Sequence, residues 1–434
     1  MEALGLGTPG TPHTRVFDLL NGLDIPTWDG AKRIHFMAIR DKDFSPIGAV
    51  YPGPICRVPR GAIFHGNMSG KGPPPHTIHW HGIEPTPIND GVGHCSMEIG
   101  NYTYQWQPNF TGTYFYHCHR NTMQHFEFGL FSLLPIDPPD AFFASIASVD
   151  PVTGAVTLNA IPVGAGTDGK FRNACNLLTL PASVRAKFSG FVGGDATYGV
   201  AGAGDIGVGD PHAFTVPHDV EVIWVPDDRD SIWSDLASNA FQTFPIHGSQ
   251  PGVNDNFKAN AGGSGFFAFN DFHADYFYIT GVPVPTHVGG TGIINPSAPP
   301  PLGGVGGVAS PDGLIPAFWN SGRSGSQIAV NARVGQTIFI RCLDAAYNNI
   351  RVTLPVDAVI TEWDGRALGV PPFGLYNQAY VLPKNTPIEI SVARRFGAIV
   401  NESTPISSFA KVEFLDTRGG VLNATALIPF NITA

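Results

Sequence analysis

The chain has 434 residues and a formal net charge of −10, and only 14% of its residues are charged against roughly 25% in an average globular protein. That length has room for two or three domains and a sizeable core. The absence of any basic cluster argues against nucleic acid or an anionic membrane as partner, and no stretch approaches the ~18 consecutive apolar residues of a membrane-spanning helix. With 52 Gly, 39 Pro and 11% aromatic residues, the composition suits an all-β chain with many turns.

Residues 1–30 read as turn-rich and polar. Met1 followed by EALGLGTPGTPHT is what either a mature chain with an added Met or an internal fragment would show, and no Lys/Arg-led apolar signal stands at the N-terminus. AKRIHFMAIRD (31–41) then predicts a first strand, and YPGPICRVPRGAIFHGNMS supplies further strand and turn segments.

The stretch from His76 to Leu130 carries the chemistry: HTIHWHG, DGVGHCSMEIG and GTYFYHCHRNTMQHFEFGL. Side chains alternate faces along a strand, and GTYFYHCH has the aromatic and β-branched character of one. His117 and His119 therefore share a face, and Cys118 points to the other. His79 and His81 likewise share a face, while His76 has the opposite parity. If the two strands are neighbours, one side gathers four imidazoles and the other gathers His76 with Cys118. His125, on a returning loop, can complete the second group. A His₂Cys set with a weak or absent axial ligand is the blue-copper electron-transfer centre, and four imidazoles suit copper better than oxygen-loving ions. The continuous backbone His117–Cys118–His119 would give an electron a short covalent route from one group to the other.

HxxHxHG followed by HCH, a further His and Leu130 resembles the multicopper oxidases, the laccase-like proteins, over about 55 residues that include IHWHG, Asp90-Gly91 and GTYFYHCH. The resemblance implies cupredoxin-like Greek-key β-barrel or sandwich domains. It implies type 1 copper on His76, Cys118 and His125 with Leu130 at the axial position. It also implies that His79, His81, His117 and His119 are half of an eight-histidine type 2/type 3 cluster that reduces dioxygen to water. Asp90 matches an acidic residue that helps deliver protons in relatives, although an ordinary turn aspartate is an equal reading. Five residues, Arg120 to Gln124, stand where relatives place three, and Met123 among them is an alternative axial ligand. Glu127 reads either as a neighbour of the ligands or as exposed.

Further along, residues 141–215 read as a Gly/Ala-rich linker or extended loops with a short helix in LLTLPASVRAKF. Residues 216–434 read as a second cupredoxin-like domain without a copper motif, after a first domain over 1–140. No HxH occurs after residue 125, and His212, His218, His247, His273 and His287 are isolated, with His247 in an IHG context the best candidate. His65 and His94 lie near the motifs as surface or supporting residues. The missing cluster half would come from a second copy across a two-fold axis, from a different protein or lost portion of a longer chain, or would not exist, leaving a single type 2 copper as in nitrite reductase.

The expected function is one-electron oxidation of a phenol or a metal ion coupled to dioxygen reduction. A non-catalytic copper relay or storage subunit and a nitrite-reductase-like enzyme are the rivals. Cys56, Cys95, Cys175 and Cys342 remain once Cys118 is assigned to copper, Cys95 matching a disulfide position in relatives. An even residual cysteine count and copper chemistry favour an extracytoplasmic location, as would six N-x-S/T triplets at Asn67, Asn101, Asn109, Asn401, Asn423 and Asn431.

Overall fold

The computed structural model describes residues 13–41, 50–59, 63–70, 76–92, 101–108, 110–120, 122–138, 146–149, 156–158, 171–193, 214–234, 272–298, 328–370 and 377–434. Among them the chain is mostly β with few, short helices, and its strands form seven sheets.

The N-terminal part holds two four-stranded sheets. In one, β2 (Arg33–Asp41), β1 (His13–Pro26), β4 (Phe64–Gly70) and β6 (Asn101–Trp106) lie in that order; in the other, β3 (Val58–Pro59), β8 (Phe131–Asp137), β7 (Gly112–His117) and β5 (His79–His81). An apolar cluster including Phe17, Met37, Trp80, Tyr116 and Leu134 fills the space between them. Here β1 corrects the reading of residues 1–30 as turns. Arg15 and Asp18 interrupt its apolar pattern, yet both are buried, Arg15 3.7 Å from Asp41 and Asp18 paired with Arg40. Paired charges inside a strand look like a polar loop until their partners on the neighbouring strand are known.

The C-terminal part holds two six-stranded sheets. One is built on Val220–Trp224, Ile338–Leu343, Arg395–Val400 and Ala358–Trp363, the other on Leu422–Thr433, Ile406–Leu415, Asn349–Thr353 and Pro387–Ile390. In Ile406–Leu415 the residues Ala410, Val412 and Phe414 are buried while Lys411 and Glu413 turn outward, the alternation of a half-buried strand. Between residues 141 and 215 the described segments include Phe171–Ala174, which pairs with Phe214–His218, and a helix at Ala182–Arg185 inside LLTLPASVRAKF.

The two parts pack through a shared apolar cluster, with Phe36, Tyr51, Phe115 and Phe131 meeting Ile223, Val225, Tyr278 and Leu343. Beside it runs a buried ionic network: Arg57 donates to Glu221 at 2.5 Å, Arg341 to Glu221 at 2.6 Å and to Asp137 at 3.2 Å, and Thr113 bonds Glu362. Burial alone would raise the Glu221 carboxyl, but Arg57 and Arg341 hold it down to about 2.

Two expectations need correction. Cys175 and Cys342 are buried free thiols within one apolar cluster, so the pairing of the residual cysteines does not include a bond for either among the described residues. Burial raises both thiols well above their ordinary range. Asn401 is buried, its amide donating to the Gly335 carbonyl at 2.9 Å and to Thr337 at 3.2 Å, which leaves no room for a glycan there.

Candidate metal centre

Strands β5 and β7 run antiparallel with His79 opposite His117 and His81 opposite Phe115. Directly opposed residues share a face, so this register brings His79, His81 and His117 together. Ring centroids lie 5.2 Å apart for His79 and His117, 5.3 Å for His79 and His81, and 5.1 Å for His79 and His119. The strand ends at His117, but His119 still reaches the same side and lines the cavity with the other three. This cavity has a volume of about 570 Å³, and Phe115, Thr122, Phe126, Tyr347, Val392 and Ala393 complete its wall.

The ring nitrogens are oriented by carbonyls. His79 Nδ1 lies 2.7 Å from the Asp90 carbonyl oxygen and His117 Nδ1 2.9 Å from that of Cys118. A carbonyl only accepts, so both Nδ1 atoms carry the proton and both Nε2 atoms present a lone pair. His117 Nε2 faces His81 Nδ1 at 3.3 Å. Burial lowers the pKa of His79, takes His117 well below the ordinary range and, helped by Arg395, takes His81 to about 3. Neutral imidazole is the form that binds a metal.

On the opposite side of the same backbone, Cys118 Sγ lies 3.6 Å from His76 Nδ1 and 3.1 Å from His125 Nδ1, and all three residues are buried. His125 sits on a short helix α1 (Thr122–Glu127), where a loop was expected. The extra residues after HCH are taken up by that turn of helix, which returns His125 to the cysteine. A bonded Leu130 then locks the geometry: its N–H donates to the His125 carbonyl at 3.1 Å, and its carbonyl accepts the Cys118 N–H at 3.0 Å. Leu130 is fully buried beside the donors; Met123 lies on α1, with its side chain outside what is described.

The donor triangle suits a transition metal. An ion about 2.0 Å from nitrogen and about 2.3 Å from sulfur, at trigonal angles, separates the two donors by about 3.7 Å, within about half an ångström of both distances seen. A buried thiolate with two imidazoles is the soft donor set that selects copper or zinc over magnesium or calcium.

Asp90 caps the turn at Pro87–Asn89, and one carboxylate oxygen lies 3.2 Å from His79 Nδ1, so its contact is with a histidine of the cavity. Glu127 is buried, 3.4 Å from Arg229, and burial raises its carboxyl to about 8. Of the isolated histidines, His65 lies on β4, His218 is buried against Phe339, His273 meets Arg418 at 3.0 Å and His287 packs on Trp28. None of these lines the cavity; His94, Cys95, His212 and His247 lie outside the described residues. Tyr347 and Arg395 went unrecognised in the sequence, because nothing local to either marks it as a neighbour of the HWH strand.

A family profile described as multicopper oxidase matches residues 31–141. The chain is 36% identical over 104 residues to an L-ascorbate oxidase of Cucumis sativus, a match spanning 22% of this chain and 17% of the cucumber protein. In structure it is similar to the blue copper oxidase of Nitrosomonas europaea, at 16% identity and a TM-score of 0.50 over 97% of this chain and 86% of that one. A multicopper oxidase called mgLAC matches with a TM-score of 0.49 at 14% identity, over 97% and 86% of the two chains. At 16% identity the likeness to the Nitrosomonas europaea protein speaks for the fold alone, whereas the family profile spans both histidine motifs, with Cys118 inside the second of them. Residues 31–141 of this chain are a multicopper oxidase domain.

Proposed function

We propose that the chain is a copper-dependent oxidoreductase that takes single electrons from a phenolic or metal-ion reductant and delivers them to dioxygen. The observation that carries this reading is the placement of two donor sets on opposite sides of one tripeptide, His117–Cys118–His119. His76, Cys118 and His125 would hold type 1 copper with Leu130 as a non-ligating axial neighbour, and His79, His81, His117 and His119 would hold type 2/type 3 copper. Copper at these positions would supply one-electron redox chemistry and a binding place for dioxygen.

The residues have defined tasks in this scheme. Burial of the Cys118 group would keep water from a bound copper and, with three strong donors and an apolar Leu130, would favour its reduced state. Carbonyl contacts fix His79 and His117 with Nε2 toward the cavity. Asp90, beside His79 Nδ1, would pass protons toward the oxygen being reduced. Four imidazoles are half the set a trinuclear site uses, and we place the remainder on another chain, in a homo-oligomer or hetero-oligomer. In the same reading the chain is two cupredoxin-like Greek-key domains, residues 1–140 and 216–434, with a Gly/Ala-rich linker or extended loops over 141–215. An extracytoplasmic location (secreted, periplasmic or cell surface) belongs to the same proposal.

Copper per chain, EPR and oligomeric mass of the copper-loaded protein test it. Two or more coppers per chain, with a type 2 signal and a spin-silent remainder in an oligomer, are expected. About one copper with a type 1 signal alone, and no oxygen uptake, would instead establish the electron-relay or storage subunit.

A further inference from the structure

The Cys118 group is sealed from solvent: Cys118 and His125 are 0% exposed and His76 is 1% exposed. An electron from a reductant in solution must therefore cross protein to reach it. One surface feature is joined to the group by a short run of contacts. The His35 imidazole, on β2, meets the ring of Phe128 edge-on with centroids 5.4 Å apart. Phe128 is held to the same strand, its carbonyl accepting the Met37 N–H at 2.8 Å. From Phe128 the backbone runs through Gly129 to Leu130, whose carbonyl accepts the Cys118 N–H.

On its outer side His35 meets a carboxylate. His35 Nδ1 lies 3.0 Å from Asp24 Oδ1, a carboxylate 58% exposed, while the imidazole itself is 13% exposed. The carboxylate accepts from Nδ1–H, which leaves Nε2 as a lone-pair acceptor. Beside the pair, the turn 231–234 is anchored to β2 by Ser234 Oγ, which accepts the His35 N–H at 3.1 Å, and it carries Ile232 63% exposed. Ile232 offers one exposed apolar side chain on the turn bonded to His35, which suits an aromatic ring bearing a hydroxyl.

We propose that Asp24 and His35 form the electron-entry site for a phenolic reductant, with His35 as the base. This rests on the copper reading of Cys118. The phenol O–H bond breaks and an N–H bond forms at His35 Nε2. The phenol would be oxidised by one electron to a neutral phenoxyl radical, the electron going to the copper(II) that His76, Cys118 and His125 would hold. Asp24 stabilises the imidazolium until the proton leaves to solvent. Moving proton and electron together avoids the high-energy phenol radical cation, so a phenol needs this pair and a proton-free reductant does not.

Anaerobic stopped-flow bleaching of the blue band, with 2,6-dimethoxyphenol and separately with ferrocyanide, tests the assignment in His35→Gln and Asp24→Asn. Loss of a positioned general base should slow the phenol reaction of His35→Gln by about a hundredfold, leave ferrocyanide near the wild-type rate, and abolish a solvent deuterium effect seen only with the phenol. Asp24→Asn should fall between. In metal-free protein, p-cresol should shift the His35 imidazole nitrogen resonances. Equal slowing with both reductants, or an unchanged phenol rate in a blue His35→Gln variant, overturns the entry site alone. A wild type with no blue band overturns the copper reading itself.

Discussion

His117 and Cys118 are adjacent in the chain yet serve opposite sides of it: His117 Nε2 stands 3.3 Å from His81 Nδ1, and Cys118 Sγ 3.1 Å from His125 Nδ1. Two groups of metal-binding side chains thus share one backbone segment without sharing a ligand. Each can be removed separately, and the first two predictions use that independence.

Cys118→Ala removes the sulfur from the buried triangle and nothing from the cavity. Its copper-loaded form should lack the blue absorption band and type 1 EPR signal while keeping the copper bound at His79, His81, His117 and His119. Metal analysis with EPR checks this. A surviving blue band would sink the assignment of Cys118.

Gly91 controls the cavity group from a distance. Its backbone has φ of 74°, and a Cβ there would lie 1.9 Å from the Ile78 carbonyl oxygen, one residue before His79. Backbone cannot yield as a side chain does, and a Gly91→Ala protein must shift the Asp90 carbonyl that orients His79. We expect a loss of about 1–3 kcal/mol in stability, with copper lost from the cavity before the blue centre. Denaturant unfolding and metal counting on the same sample check both.

Arg341 lies at the centre of the buried network, bonded to Glu221, Asp137 and Thr113. Arg341→Met takes one of two guanidiniums from Glu221 and Asp137, leaving them Arg57, and should cost about 3–5 kcal/mol. Arg341→Met with Glu221→Leu should recover much of that, because Arg57 and Asp137, 3.3 Å apart, then pair with each other. A double-mutant cycle from chemical denaturation measures the recovery.

His218 gives a pH prediction. It is buried against Phe339, and desolvation takes its pKa to about 3, with Arg341 and Arg57 also lowering it and Glu221 and Asp219 opposing them. The folded chain thus keeps His218 neutral where the unfolded chain, with an ordinary pKa near ~6.5, is protonated. The unfolded state binds more protons between those values, so stability falls as the pH drops from about 6.5 toward about 3. His218→Phe removes this term: relative to wild type it should gain about 1–2 kcal/mol at pH 5 compared with pH 8. Unfolding free energies at the two pH values decide the matter; an equal difference at both would refute it.

The candidate site was far more legible than the frame that holds it. HWH lies on one strand and HCH begins at the end of another, and a period of two separates His79, His81, His117 and His119 from Cys118 once the two strands are taken as neighbours. The element under His125 was less legible, since a short helix and a loop can return a chain equally well. Strand β1 was hidden because Arg15 and Asp18 read as polar until Asp41 and Arg40 stand beside them. Asn401 carries a glycosylation triplet, and only the fold shows its amide spent on Gly335 and Thr337.

By itself, then, the sequence determined the donor types, their grouping and the β character of the chain, because these depend on residue identity and local periodicity. Tertiary structure decided the rest. It set the register that places His79 opposite His117, and the packing that brings Tyr347 and Val392 to the cavity and Arg395 near His81 from hundreds of residues away. It also joined His35 to the buried cysteine through Phe128. Such contacts arise between segments whose pairing depends on the burial of whole sheets, and no local pattern encodes them.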